Sequence, residues 1–184
     1  GGSGPGARAA AGAARTKRVG VIGTAGTIKS RAYETEIIKL VPDAQVTAQA
    51  CALFVPLVEE GWTDAEPTRA IARNYLAPLV AAEIDTLVLG CTHYPLMKTV
   101  IGNVVGREVR LIDSAYETAR ETAELLTANG LENTSPNEAR SRFIGSDARD
   151  TSLDLGRRFL GSSVDLCEPR PRAGPVPAAG SHRL

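Results

Sequence analysis

Short apolar runs alternate with longer stretches of helical periodicity through the body of the chain, residues 17–167. Apolar runs predict strands over 18–23, 84–90, 108–112 and 142–145, and weaker signals predict strands over 45–50 and 164–166. The stretches between them predict helices near 28–40 and over 65–81, 115–129 and 151–160. This alternation is typical of βαβ units, so we expect an α/β fold whose mainly parallel sheet is covered by helices.

Two helix starts carry capping signals. Asp64 precedes the helix predicted over 65–81 and can cap it, while Pro78 should kink its last turn. Ser114 and Glu117 have the spacing of a capping box at the start of the helix predicted over 115–129.

The two ends of the chain differ in composition from its body. Residues 1–16 are rich in Gly, Ala and Arg, which predicts a flexible linker over 1–6 and a short helical turn over 7–14. Residues 168–184 contain four prolines and few apolar residues, and we expect a disordered tail. The only methionine is Met97, so we expect that the chain was processed, tagged or cut from something longer.

Charge and cysteine usage exclude several classes of protein. The chain has 21 basic and 21 acidic residues, and its scattered basic residues argue against nucleic acid or an anionic membrane as a partner. No apolar run is long enough to span a membrane, and the N-terminus lacks a secretory signal. Three irregularly spaced cysteines argue against a disulfide framework, and reduced thiols point to the cytoplasm.

The sharpest candidate site is the cluster of Cys91, Thr92 and His93 directly after the strand predicted over 84–90. Open α/β sheets bind ligands at the carboxyl ends of their strands. A nearby imidazole can raise the thiolate fraction of a cysteine, and a threonine offers a hydroxyl and an N–H to an anionic ligand. The alternative is a buried cysteine that only packs, followed by a histidine in a turn. The coincidence of these groups at a strand end favours function.

Two further segments carry weaker signals. The turn over 23–27, with Thr24 and Thr27, could hold a carboxylate or phosphate, although an ordinary turn with Thr27 as the helix N-cap is the alternative. In the segment 51–61, Cys51 has apolar neighbours and should be an inert packing residue. Glu59 or Glu60 could point into a cleft, or both could lie at a solvated helix end. Cys91 and His93 would supply only two metal ligands, so no metal site is expected.

At this point four segments resemble glutamate racemases, which belong to the aspartate/glutamate racemase superfamily. Residues 89–96 resemble the second catalytic-cysteine motif of that family, and the segments 19–30, 51–61 and 111–118 resemble three of its other motifs. The resemblance covers about 5–167 and implies a three-layer α/β/α lobe with a parallel sheet. His93 favours glutamate racemase, because aspartate racemases usually carry Glu there; an aspartate or hydantoin racemase is the alternative.

The resemblance implies an isomerase that needs no cofactor and interconverts L- and D-glutamate, supplying D-glutamate for peptidoglycan. Two thiols on opposite faces of the substrate exchange the roles of base and acid. On this resemblance Cys91 is the second catalytic cysteine, His93 assists it, and Glu59 is a buried acid near the site that orients His93, with a shift to Glu60 left open. Thr92 binds substrate, and Thr24 and Thr27 contact the substrate carboxylate. Cys51 does not correspond to the first catalytic cysteine.

The sequence departs from the family in one respect. No Cys-Asn-Thr is present, so the first domain and the first catalytic cysteine are expected to be missing. The expected organisation is a flexible segment and crossover over 1–16, the second racemase domain over 17–114, a return segment over 115–167 and a tail over 168–184. The apolar faces of the return segment should be exposed or repacked.

We therefore expect this chain alone to be inactive and to need the missing N-terminal half. A homodimer is an open expectation from the family. The alternative function is a racemase-derived binding module that has lost catalysis.

Overall fold

Four parallel strands form the sheet of the computed structural model, which describes residues 3–135, 143–145, 156–160 and 167–169. They are β1 (Arg18–Gly23), β2 (Gln45–Ala50), β3 (Thr86–Leu89) and β4 (Arg110–Asp113), in the order β2-β1-β3-β4. In register, Val19 pairs with Val46 of β2 and with Thr86 of β3, and Leu89 pairs with Asp113 of β4. All four carboxyl ends therefore lie along one edge of the sheet.

Seven helices accompany this sheet: α1 (Ser3–Ala13), α2 (Ala25–Ser30), α3 (Ala32–Leu40), α4 (Phe54–Glu59), α5 (Glu66–Ala81), α6 (Lys98–Val105) and α7 (Ser114–Ala128). A 3-10 turn over Tyr94–Met97 leads into α6. Two apolar cores flank the sheet, one shared with α4, α5 and α6 and the other with α1 and α3. The predicted α/β architecture with a parallel sheet between helices is confirmed.

Burial on both faces accounts for the three successive apolar residues of β3, Leu87 to Leu89. Leu87 and Leu89 face the core shared with α5 and α6, whereas Val88 between them faces the core shared with α1 and α3. All four residues of the strand are buried. A parallel strand covered on both faces carries a continuous apolar run rather than an alternating one.

The N-terminal segment is helical from Ser3 onward, which corrects the flexible linker predicted over residues 1–6 for its described residues 3–6. Helix α1 begins at Ser3, and it extends the short turn predicted over 7–14 to three turns. Ala7 and Ala10 are fully buried in the second core. Their burial outweighs the low helix propensity of the neighbouring glycines.

The helix predicted near 28–40 is two helices rather than one. Arg31 has a left-handed backbone, with φ of 52°, and it ends α2 and begins α3. Helix α5 agrees with the prediction over 65–81 and runs through Pro78 to Ala81.

Both predicted caps are wrong. Ala65, which has no capping side chain, precedes α5, and Asp64 pairs with Arg69 at 3.0 Å instead. Asp113 caps α7 by accepting hydrogen bonds from the N–H groups of Ala115 and Tyr116. Ser114, the residue expected to cap this helix, is its first residue.

Helix α7 belongs to the same compact unit as the sheet, a unit that ends at Asn133. The domain boundary expected after residue 114 is therefore not a boundary of the structure, because α7 packs beside α1 and its Glu121 forms an ion pair with Arg8. Helix α7 exposes some apolar side chains, but they do not share one face, because Tyr116 and Leu125 are nine residues apart and point to opposite sides of the helix. The exposed apolar residues of α7 and just beyond it are Tyr116, Leu125, Leu126 and Leu131.

The second unit, from Thr134 onward, is described only in short pieces. Strand β5 (Phe143–Gly145) pairs in parallel with β6 (Cys167–Pro169), and residues 156–160 are helical. The strands over 142–145 and the helix near 151–160 agree with prediction where they are described. The strand predicted over 164–166 lies outside the described residues, as does the tail from residue 170 onward. Residues 168–169, which the prediction assigned to the disordered tail, are part of β6.

None of the helices within the described ranges combines the length and the apolar character that crossing a membrane requires.

Candidate functional site

The topology of the sheet places a crevice between β1 and β3. After β1 the chain adds β2 on one side of it, and it then returns to add β3 on the other side. Such a switch point, at the carboxyl ends of the strands, is where open α/β sheets bind ligands. Thr24 follows β1 directly, and Gly90 and Cys91 follow β3. The chemistry-bearing residues of the sequence thus meet at this edge.

Cys91, His93 and Glu59 form a row at the end of β3. The Cys91 Sγ atom lies 4.0 Å from Nδ1 of His93, and Nε2 of the same ring lies 3.3 Å from Oε1 of Glu59. Glu59 is the last residue of α4, which packs against the turn that follows His93. With Nε2 donating to the carboxylate, Nδ1 is left as an acceptor that faces the thiol. The row can therefore take a proton from Cys91 and return it.

The structure distinguishes between the two adjacent glutamates. Glu59 reaches His93, but the expectation that it is buried is wrong, because its side chain is 47% exposed; the His93 side chain is 23% exposed. Glu60 is exposed and lines a surface pocket with Leu53 and Trp62 instead. Helical geometry accounts for the difference, because adjacent residues on a helix point about 100° apart.

Thr92 lies next to the same histidine nitrogen. Its Oγ1 atom is 3.4 Å from Nδ1 of His93. Thr92 is also exposed to the cleft beside Cys91, so its hydroxyl is available to a ligand there.

The cleft beside Cys91 has a volume of about 470 Å³, which suits a small molecule. Its walls come from the end of β3, from α3 and from the first two turns of α7. The lining residues are Tyr33, Gly90, Cys91, Thr92, Ser114, Ala115, Thr118 and Ala119. Most of the side chains that α7 contributes are small, and they leave space in front of the thiol.

Thr24 and Thr27 interact with one another at the start of α2. Thr24, not Thr27, is the N-cap, and its Oγ1 accepts a hydrogen bond from the N–H of Thr27 at 3.3 Å. The two hydroxyl oxygens are 3.0 Å apart. Within the part of the chain that the structure describes, neither residue lines the Cys91 cleft.

Cys51 is a packing residue, as predicted. Its side chain is fully buried in the core shared with α4 and α5, and its Sγ is 3.8 Å from the carbonyl oxygen of Gln49. Burial raises the pKa of the Cys51 thiol to about 12. The thiol is therefore protonated, and unreactive, at neutral pH.

Three residues shape the site through long-range contacts that the sequence analysis did not assign to them. Tyr94 is fully buried, donates a hydrogen bond to the carbonyl oxygen of Cys51 at 2.9 Å, and so anchors the turn that carries His93. Tyr33 and Ser114 hydrogen-bond to each other under the cleft. Each of these contacts joins residues more than 40 positions apart, which local patterns do not reveal.

Metal ligation has no support among the residues that the structure describes. They contain no group of three or more His, Cys, Asp or Glu side chains that could hold a metal ion.

Comparison with known sequences gives a consistent result. The family model described as Asp/Glu/Hydantoin racemase matches residues 4–122. A glutamate racemase of Geobacter metallireducens is 51% identical over 160 residues, which cover 87% of this chain and 59% of that protein. A glutamate racemase of Neisseria meningitidis serogroup A is 47% identical over 163 residues, 89% of this chain and 60% of that protein. The chain thus spans about three fifths of the length of these curated relatives.

Solved structures agree with the sequences. The glutamate racemase isoform RacE1 of Bacillus anthracis matches with a TM-score of 0.86 at 33% identity, over 93% of this chain and 64% of that one. The glutamate racemase of Francisella tularensis, solved in complex with D-glutamate, matches with a TM-score of 0.83 at 32% identity, over 91% of this chain and 62% of that one.

Proposed function

The chain belongs to the Asp/Glu/Hydantoin racemase family, and from this premise we propose that it is the part of a glutamate racemase that carries one of two acid–base thiols. The observation that carries the proposal is the row of Cys91, His93 and Glu59 beside an open cleft at the switch point of the sheet. The relatives that match over most of this chain are named glutamate racemases, which supports glutamate as the substrate.

In the proposed reaction the Cys91 thiolate removes the α-proton from one face of glutamate. A second thiol delivers a proton to the other face, and the two exchange roles when the reaction runs backwards. His93 accepts the Cys91 proton to form the thiolate, and Glu59 stabilises the imidazolium that results. Hydrogen-bond donors to the substrate carboxylate stabilise the negative charge that develops at the α-carbon, and no cofactor forms part of the proposal.

Thr92 is proposed to bind the substrate through its hydroxyl and its N–H. Its position beside His93, on the wall of the cleft, supports this role. Binding of the substrate carboxylate by Thr24 and Thr27 stays a prediction. Replacement of either residue by Val should raise KM for glutamate if the role is correct.

The second thiol is proposed to come from a segment outside this sequence. Cys51 is enclosed by the core, and about two fifths of the length of the relatives is unmatched. We also propose that the complete enzyme works in the cytoplasm, where thiols stay reduced, as a homodimer that supplies D-glutamate for peptidoglycan.

The proposal is tested by completing the enzyme. The chain is joined to the part of the Geobacter metallireducens glutamate racemase that it does not match, and racemisation of glutamate and aspartate is followed by circular dichroism. Racemisation of glutamate in preference to aspartate, lost in Cys91→Ser and kept in Cys51→Ala, is expected. Equal activity in Cys91→Ser would contradict the role of Cys91, and preference for aspartate would contradict the substrate.

A further inference from the structure

The Tyr33 side chain packs in a largely buried pocket next to the Gly90–Cys91 segment. Tyr33 lies in the first turn of α3 and is only 7% exposed. Its hydroxyl donates a hydrogen bond to Oγ of Ser114 at 3.0 Å, and Ser114 is itself 8% exposed. Both residues line the cleft next to Cys91. A buried hydroxyl pair therefore forms part of the cleft wall.

Two glycines leave room for the Tyr33 ring in this pocket, one at each edge of the ring. A Cβ added to Gly90 would lie 2.9 Å from Cε2 of Tyr33 and 2.8 Å from the carbonyl oxygen of Ile22. A Cβ added to Gly6 would lie 3.3 Å from Cε1 of the same ring and 2.5 Å from Oγ of Ser114. The phenol ring is thus held between the end of β3 and α1. Any movement of Gly90 toward α3 must displace the ring.

From these contacts we infer that Tyr33, held by Ser114, is a positioning residue that fixes the Gly90–Cys91 segment and thereby keeps the Cys91 sulfur within reach of His93. The importance of this role for turnover rests on the proposed function of Cys91. The ring supplies the contact with Gly90. The hydrogen bond to Ser114 holds the hydroxyl end of the side chain in place, and it joins Tyr33 to the start of α7.

Tyr33 does not act as an acid or base in this role. Burial raises the pKa of its hydroxyl and outweighs the hydrogen bond with Ser114, which lowers that pKa, while the charge of a nearby Cys91 thiolate raises it further. The hydroxyl therefore stays protonated and can donate to Ser114 through the neutral and mildly alkaline range. Tyr94, on the other side of the segment, also has a pKa raised by burial.

Within the described residues, the titratable groups shown near Cys91 are His93 on its own turn, Glu59 of α4 through His93, and the two tyrosines. Helix α7 faces the cleft with Ser114, Ala115, Thr118 and Ala119, none of which titrates at these pH values. A change in thiol activation on loss of the Tyr33 hydroxyl would thus reflect the position of Cys91 relative to His93.

The test measures alkylation of Cys91 in the 184-residue chain, so it needs no turnover. Iodoacetamide modifies the thiolate. Its rate at Cys91 is followed at pH 7 and at pH 9.5 by mass spectrometry of the peptide that contains Cys91. Tyr33→Phe should lower the ratio of the rate at pH 7 to that at pH 9.5 by about three- to tenfold, the effect of one hydrogen bond.

Ser114→Ala should lower the same ratio to a similar extent. The double variant should lower it no further, because each single change already removes the same hydrogen bond, the one between Tyr33 and Ser114. Tyr75→Phe is the matched control: it removes a tyrosine hydroxyl near the N–H of Leu53. The control should leave the ratio unchanged.

Three outcomes would overturn the inference: an unchanged ratio in Tyr33→Phe, equal slowing at both pH values, or the same fall in Tyr75→Phe. Additive effects of Tyr33→Phe and Ser114→Ala would also overturn it. Because racemisation is not measured, each of these results is distinct from a failure of the proposed function, which the completed enzyme tests.

Discussion

Two cysteines at the carboxyl edge of the sheet differ in what surrounds their sulfur atoms. Cys91 lines an open cleft and has an imidazole nitrogen 4.0 Å away. Cys51 is fully buried, and the loss of hydration raises its pKa to about 12. The local sequence indicated this division, because Cys91 has polar neighbours and Cys51 apolar ones.

This contrast predicts selective alkylation of the folded chain. At pH 8, iodoacetamide should modify Cys91 at least tenfold faster than Cys51, because the rate follows the exposed thiolate. Peptide mass spectrometry measures both rates in one sample. Denaturant should remove the difference, and equal rates in the folded chain would contradict the assignment.

The choice between Glu59 and Glu60 was beyond the sequence, since the two are adjacent and chemically identical. The structure brings only Glu59 to His93, at 3.3 Å. In the completed racemase, Glu59→Gln should lower kcat by about three- to tenfold, a modest effect because water screens this half-exposed pair. Glu60→Gln is the matched control and should keep kcat within a factor of two. Equal losses in both variants would contradict the assignment.

At the scale of elements, the strands followed the prediction more closely than the helix ends did. The strand predicted over 45–50 and the end of β1 at Gly23 agree with the structure. The caps do not, because a cap depends on the backbone of the preceding loop and on competing partners. Ser114 has capping chemistry, yet its hydroxyl accepts a bond from Tyr33, 81 positions away. A residue-by-residue pattern contains no information about such a partner.

Asp85 stabilises the opposite end of the sheet from the candidate site. Its carboxylate accepts hydrogen bonds from the N–H and the hydroxyl of Thr16 and from the hydroxyl of Thr86. Burial by itself would raise the pKa of Asp85, but these hydrogen bonds outweigh it and lower the pKa below the usual value. The carboxylate therefore contributes stability above the unfolded-state pKa of about 4, and loses it as the pH falls through the lower folded pKa.

Asp85→Asn should accordingly lower the free energy of unfolding at pH 7 by about 1–2 kcal/mol. The difference from the unsubstituted chain should shrink as the pH falls below about 4. Urea unfolding followed by circular dichroism at several pH values measures this difference. Asp43→Asn, which removes an exposed partner of Lys17, should lower the free energy of unfolding by less than Asp85→Asn does. A loss of stability in Asp85→Asn that does not depend on pH would contradict the role of the carboxylate.

At the scale of the whole molecule, the sequence indicated the family and a partial match to it. The chain spans about three fifths of the length of its curated relatives, and α7 exposes the apolar side chains of Tyr116, Leu125 and Leu126. The sequence did not reveal that α7 belongs to the same unit as the sheet. That follows from its contacts with α1, which join residues more than 100 positions apart.

The 184 residues alone should not racemise glutamate, because Cys91 can serve only one face of the substrate. Chiral chromatography of L-glutamate after prolonged incubation measures this directly. Racemisation that is abolished by Cys91→Ser would show instead that this chain contains a complete site.

The central claim is that Cys91 exchanges protons at one face of glutamate. Its most direct test uses the completed enzyme in D₂O. D- and L-glutamate are separated early in the reaction, and deuterium at the α-carbon of each is measured by mass spectrometry. With two thiols, the product should be deuterated while the remaining substrate is not, and Cys91→Ser should abolish product formation. Deuterated product at an unchanged rate in Cys91→Ser, or deuterium that enters the substrate before the product, would contradict the claim.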